Sequence, residues 1–338
     1  MIRMKMASWG MGIWATLLLA CSGGAEPAAS PDPAPEPISD APSDDTASSG
    51  ASSGAQSPEL KKAIEAIQAG DFGAAQKLLT PLKDKEPKNA EVAFYSGVAA
   101  EGLGNASQAE ADYRSALQLD GKLVDAAANL SALLITEQKY DAALAVIKDA
   151  QVHSGDHDGL LNNQAVALME KGDAKGAAAA YEKLVAKRPD DAESKVLFAE
   201  ALLVSGSEKR ALEVAKSLIS SSDRAVLATA ADLLAQLKAY EPCVAALDKA
   251  IGLKDAAELR VRRGLCHHGK KDEAKALADF QKATQLDPKE PAAFYYLGQS
   301  HLAAKQKDQA KVAFKKATEI DPTGKVGKAA AKELAGLK

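Results

Sequence analysis

Between residues 58 and 322 small and apolar residues recur at three- and four-residue spacing, the period of a helix that buries one face. The pattern is sharpest over residues 292–322, AAFYYLGQSHLAAKQKDQAKVAFKKATEIDP. Phe294, Leu297, Gly298 and His301 share one stripe, and Ala310, Phe314 and Ala317 share a second. The polar run Lys305-Gln306-Lys307-Asp308 lies between them, so the spacing predicts two helices joined by a turn there. Gly298 and Ala310 are small enough to let the two helices approach closely, with Phe314 filling the wider space beside them. Pro322 ends the second helix, because its ring nitrogen cannot continue the hydrogen-bond ladder.

The same unit repeats along the chain. Gly264, Ala276, Phe280, Ala283 and Pro288 precede Gly298, Ala310, Phe314, Ala317 and Pro322 by a constant 34 residues. Further copies hold Ala177, Tyr181, Leu184 and Pro189, then Gly97, Ala109, Tyr113, Ala116 and Gly121. The column of small residues reads Ala75, Ala109, Ala143, Ala177, Ala211, Cys243, Ala276 and Ala310, at spacings of 34, 34, 34, 34, 32, 33 and 34. Period and columns together resemble the tetratricopeptide repeat (TPR). The resemblance implies an all-α fold: a right-handed α-solenoid of about eight tandem helix-turn-helix repeats over residues 58–322, closed by a C-terminal capping helix over residues 323–338. Val326, Ala330, Leu334 and Leu337 form the apolar stripe of that last helix. At the other end Lys62 and Glu65 stand where later copies carry Ala99, Leu133, Ala167 and Ala201, as expected of a first repeat with no predecessor to pack on. The array therefore reads as complete at both ends, with no room for a catalytic domain.

Residues 1–20 follow a different pattern. Arg3 and Lys5 make a positive start, and the apolar run after them is shorter than the roughly 20 residues that span a bilayer. The run ends Leu17-Leu18-Leu19-Ala20-Cys21, which resembles the lipobox of bacterial lipoproteins, with Leu19 bulkier than is usual. The resemblance implies cleavage before Cys21, lipidation of its thiol and anchoring in the bacterial cell envelope. Ser22 rather than an aspartate follows, which implies the outer membrane, with the repeats facing the periplasm. Residues 21–57 then carry Glu26, Asp32, Glu36, Asp40, Asp44 and Asp45 among Pro, Ala, Ser and Gly, with no Lys or Arg. Such a stretch cannot bury enough apolar surface to fold and is expected to be an acidic, disordered tether. The chain as a whole has a net charge of −4, so the repeats themselves are close to neutral.

Motifs for chemistry are decoys. Residues 264–270 have the glycine spacing of a phosphate-binding loop, but Lys271 replaces the Ser/Thr that holds magnesium, and the stretch falls inside a predicted helix. His153, Asp156, His157 and Asp158 read as polar turn residues rather than metal ligands, and His267 and His301 stand a full repeat apart. No metal, cofactor or nucleotide is expected, and no enzyme activity. Cys243 and Cys266 leave two readings open. They are either two small residues filling close-packed columns, the preferred one, or a disulfide across neighbouring repeats if their Cα atoms come within about 7 Å.

By the family resemblance the first helices line a concave peptide-binding groove. Its stripe here includes Glu91, Phe94, Val98, Asn162, Val166 and Met169 in the first half, and Val196, Glu200, Asp232, Val261, Tyr295 and Gln299 in the second. That stripe carries no Lys or Arg, which excludes the family's carboxylate-clamp mode and disfavours nucleic acid. It predicts an apolar protein or peptide ligand with basic flanks. The favoured function is an outer-membrane-anchored scaffold supporting an envelope complex of the pilus, secretion or motility type. The alternatives are a periplasmic chaperone or carrier of extended polypeptides, and an accessory subunit of a cell-wall or polysaccharide enzyme.

Overall fold

A computed structural model describes residues 57–337. The expected leader, the Cys21 expected to be lipidated and nearly all of the expected acidic tether lie outside the described residues. Those described form two compact units divided between Lys187 and Arg188.

The first unit contains α1 (Pro58–Gln68), α2 (Phe72–Lys85), α3 (Ala90–Gly102), α4 (Ala106–Leu119), α5 (Val124–Thr136), α6 (Tyr140–Ser154), α7 (Asp158–Glu170) and α8 (Ala174–Lys187). The second contains α9 (Ala192–Val204), α10 (Glu208–Ser217) with a 3₁₀ turn at Leu218–Ser220, α11 (Arg224–Gln236), α12 (Tyr240–Leu253), α13 (Ala257–Gly269), α14 (Glu273–Leu286), α15 (Pro291–Ala303), α16 (Lys307–Ile320) and α17 (Lys325–Gly336). Among the described residues every regular element is helical. The fold is an all-α solenoid of eight helical hairpins, odd-numbered helix first, with α17 packed on α16 after the last.

Each hairpin turns in the same way. The residue after the first helix's last turn has a left-handed backbone: Gly70, Gly104, Gln138, Gly172, Gly206, Lys238, Lys271 and Lys305, one per hairpin. The Gly70 N–H donates to the Ile67 carbonyl and the Asp71 N–H to the Ala66 carbonyl, both at 2.9 Å; Lys305 and Gln306 repeat the pair on Leu302 and His301 at 2.9 and 2.8 Å. These bonds satisfy carbonyls that a helix end otherwise leaves open. In some hairpins the next residue also caps the second helix: the Asp71 carboxylate accepts from the Ala74 N–H, and Asp173 from the Gly176 N–H, both at 2.8 Å. The last hairpin therefore turns over Ala304, Lys305 and Gln306, and the Lys307 and Asp308 expected in the turn already belong to α16.

Packing within a hairpin follows the small and aromatic columns. All eight small-column residues, from Ala75 to Ala310, are at most 1% exposed. Opposite each helix glycine lies a ring. A Cβ on Gly97, Gly264 or Gly298 would stand 2.6 Å from the ring of Tyr113, Phe280 or Phe314 respectively, so these positions must stay bare. A second set reaches between hairpins, where the rings of Phe72 and Tyr240 cover Gly102 and Gly269. Each buried ring contributes on the order of 2–3 kcal/mol from lost apolar surface. First helices inside a unit are packed on both flanks. At the end, α1 leaves Lys62 and Glu65 exposed, whereas Ala99, Leu133 and Ala167 in the column of Glu65 are buried.

Candidate functional site: the first-helix face

In the first unit, Phe94 and Val98 of α3 are half-buried, packed on a core that includes Ala100, Tyr113, Leu130 and Leu134. The Phe94 ring centre lies 5.0 Å from that of Tyr95 and 6.0 Å from that of Tyr113. Tyr113 is held from behind: its hydroxyl donates to Glu101 at 2.6 Å and accepts from the Asn129 amide at 3.4 Å, and burial pushes its phenol well above the usual range. Glu91, Asn162 and Met169 are likewise half-buried, leaving part of each side chain to solvent. Val166 is not available: it is 7% exposed and belongs to the core. The structural amide on α7 is the neighbouring Asn163, which donates to the Ala128 carbonyl at 2.8 Å and the Ser131 hydroxyl at 2.9 Å across to α5.

In the second unit the expected apolar positions are again partly consumed. Val261 and Tyr295 are 7% and 6% exposed and sit in the core clusters, so they support the face rather than offer pockets; Val196 is half-buried. Gln299 donates to the Tyr295 hydroxyl at 3.1 Å and to Glu333 of α17 at 3.2 Å.

The expectation of a face without basic residues needs correction here. Arg262 of α13 lies 3.4 Å from Asp232 of α11, and Arg224 of α11 lies 3.9 Å from Glu258 of α13. Both arginines stand off the stripe in sequence, but hairpin stacking brings them beside it. Asp232 is thereby paired, while Glu258 is exposed and only near a cation. Glu200 of α9 is different: it is half-buried, makes no hydrogen bond or ion pair among the described residues, and loss of hydration pushes its carboxyl above the usual range.

Behind the face lies a second charged cluster, missed in the sequence. Asp279 of α14 is 3% exposed and takes Arg263 Nε at 2.8 Å and Nη2 at 2.5 Å, and Arg260 Nη1 at 3.2 Å. Arg263 continues to Asp248 at 2.6 Å and Arg260 to Asp255 at 2.8 and 2.9 Å, joining α12, α13 and α14. Both Asp279 oxygens are occupied by guanidinium groups, which makes it a structural anchor. The neighbouring His267 is pushed down by burial, with Asp279 opposing.

The decoys resolve accordingly. Residues 264–270 lie in α13 and its C-cap, with Gly264 against Phe280. Asp156 pairs with Lys183 at 2.9 Å and Asp158 pairs with Lys187, so the turn before α7 is an ion-paired turn. Among the described residues no group of three His, Cys, Asp or Glu could hold a metal, and no helix is long and apolar enough to cross a membrane. Cys243 of α12 and Cys266 of α13 are joined as a disulfide, with Cα atoms 6.3 Å apart and both side chains buried in one core cluster. On the opposite side of the first unit, α4, α5 and α6 enclose an open cleft of about 320 Å³. Leu117, Leu130 and Val146 floor it, and Arg114, Asp149 and His153 rim it.

A family model described as Tetratricopeptide repeat matches residues 46–224, more than half of the sequence. The chain belongs to the tetratricopeptide repeat family. Two further models of the same description cover residues 228–291 and 268–333 of this TPR protein. Among solved structures it is similar to the C-terminal part of a TPR repeat-containing protein from Cytophaga hutchinsonii, at 14% identity and a TM-score of 0.53, over 80% of this chain and 98% of that one. It is also similar to a TPR protein from Parabacteroides merdae (17% identity, TM-score 0.43, 82% and 97% covered) and to yeast Tom70 (13%, 0.47, 85% and 66%). No curated protein matches. As a TPR protein the chain is a scaffold for protein–protein contacts rather than an enzyme.

Proposed function

We propose that this protein is an outer-membrane-anchored TPR scaffold that holds polypeptide partners on its first-helix face and supports assembly of an envelope complex. The observation that carries the binding half is that first helices in both units keep apolar and acidic side chains half-exposed along one column set: Glu91, Phe94, Val98 and Met169 in one, Val196 and Glu200 in the other. Half-buried side chains on a rigid helix scaffold are pre-ordered, so a partner segment loses less entropy in meeting them. The anchoring half rests on the lipobox-like sequence ending at Cys21, outside the described residues. The buried disulfide supports it, since such bonds persist in oxidising compartments.

The test is fractionation followed by co-purification. Cys21→Ser is expected to move the protein from the membrane to the soluble fraction, and detergent-solubilised wild type is expected to bring down fixed, stoichiometric partners. Exported Cys21→Ser protein that still sediments with membranes contradicts the anchor. A smear of unrelated clients points to a chaperone instead, and a single enzyme to an accessory subunit.

A further inference from the structure

The second unit contains its own control for reading the face. The register that carries Ala211 to Cys243 also carries Glu200 to Asp232, so these two carboxylates occupy the same column of successive hairpins. Asp232 meets Arg262, which projects from the following first helix. The register that carries Cys243 to Ala276 carries Thr229 to Arg262, so the residue placed to answer Glu200 is Thr229. Thr229 spends its hydroxyl on its own helix, donating to the Ala225 carbonyl at 3.1 Å. The arginines of α10 and α11 are engaged elsewhere: Arg224 lies by Glu258, and Arg210 lies over the Phe198 ring at 5.5 Å. Asp232 thus has its arginine from the hairpin that follows, and Glu200, one hairpin earlier, has the acid alone.

A carboxylate in that position has lost water without gaining a cation, and an incoming guanidinium or ammonium group recovers what burial took away. We propose that Glu200 is the cation-receiving position of the second unit's first-helix face. It takes an arginine or lysine side chain of the bound polypeptide, in the place that Arg262 already fills beside Asp232. This rests on the first-helix reading and narrows it: the cation preference comes from Glu200, not from a diffuse acidic field. Asp232 is correspondingly no part of the recognition.

Selection of a random displayed peptide library on the purified full chain tests this, run in parallel on wild type, Glu200→Gln and Asp232→Asn. Glutamine keeps the length and helix preference of glutamate, and unchanged melting checks the fold. Wild type and Asp232→Asn are expected to enrich peptides with one invariant Arg or Lys among apolar residues. A wild-type-selected peptide is expected to bind Glu200→Gln about tenfold or more weakly, equivalent to ~1.4 kcal/mol, and Asp232→Asn nearly as well as wild type. Peptides enriched without a cation, or retained equally by Glu200→Gln, overturn the assignment while leaving the first-helix reading standing. If no peptide is enriched on any of the three proteins, that reading falls and this one with it.

Discussion

At the scale of single residues, the turn position of each hairpin imposes the sharpest constraint. All eight positions adopt positive φ, but only four carry glycine; Gln138, Lys238, Lys271 and Lys305 hold the same conformation at φ values of 62°, 56°, 64° and 61°. A side chain there costs roughly 1 kcal/mol, because Cβ crowds the following carbonyl. Lys238→Gly is therefore expected to raise the stability of the chain by up to about 1 kcal/mol, and Gly206→Ala to lower it by a similar amount, in urea melts of the two variants against wild type. Opposite signs at two positions of one column form a stringent check, since Lys238 takes no part in a core cluster and a Cβ on Gly206 would meet nothing within 4 Å. Half of this column was hidden in the sequence: a lysine in a polar turn carries no sign of its backbone, and only stacking the repeats in register shows that it replaces a glycine.

Helix pairs are where sequence and structure agree best, and where the reasons for disagreement are physical. Period, small columns and aromatic columns predict the hairpins because a close-packed helix pair tolerates few residue types at its crossing. Gly298 beneath Phe314 and Gly264 beneath Phe280 illustrate this. What a single-helix stripe could not show is contact between hairpins. Val166, Val261 and Tyr295 face the expected side of their helices yet are covered by neighbours, because a first helix inside the array is packed on both flanks. Arg262 lies off the stripe of its own helix and still reaches Asp232 on the one before. Likewise, Asp279 gains its arginines from α13 and, through Arg263, the Asp248 carboxylate from α12. The Cys243–Cys266 disulfide crosses the same α12–α13 junction, in place of the free packing residues preferred from sequence. With its cysteines 23 positions apart, the bond is worth on the order of 3 kcal/mol by loop-entropy reasoning. Oxidised protein, denatured without reductant, is expected to show no free thiol from this pair, and Cys266→Ser to melt earlier. Two free thiols beyond any at Cys21, in protein taken directly from its own cells, contradict a formed bond.

For the molecule as a whole, family and fold class were legible in full, and the use of the fold only in part. TPR columns report on packing, so they identify a scaffold and say little about its cargo. The face on which cargo sits is defined by residues that packing leaves half-free, and those emerge only after burial and ion pairing have removed Val166, Val261, Tyr295 and Asp232 from the expected set. What remains in the second unit is an apolar face with a half-buried, unanswered carboxylate at Glu200. The competing surface is the open cleft on the second-helix side, between α4 and α6. Site-specific photo-cross-linking in living cells separates the two most directly. A photoreactive residue would replace Val98 or Gln299 on the first-helix faces, and Asp149 on the rim of the cleft. Discrete protein adducts from Val98 and Gln299, with none from Asp149, are the predicted result; adducts from Asp149 alone would contradict partner binding on the first-helix face.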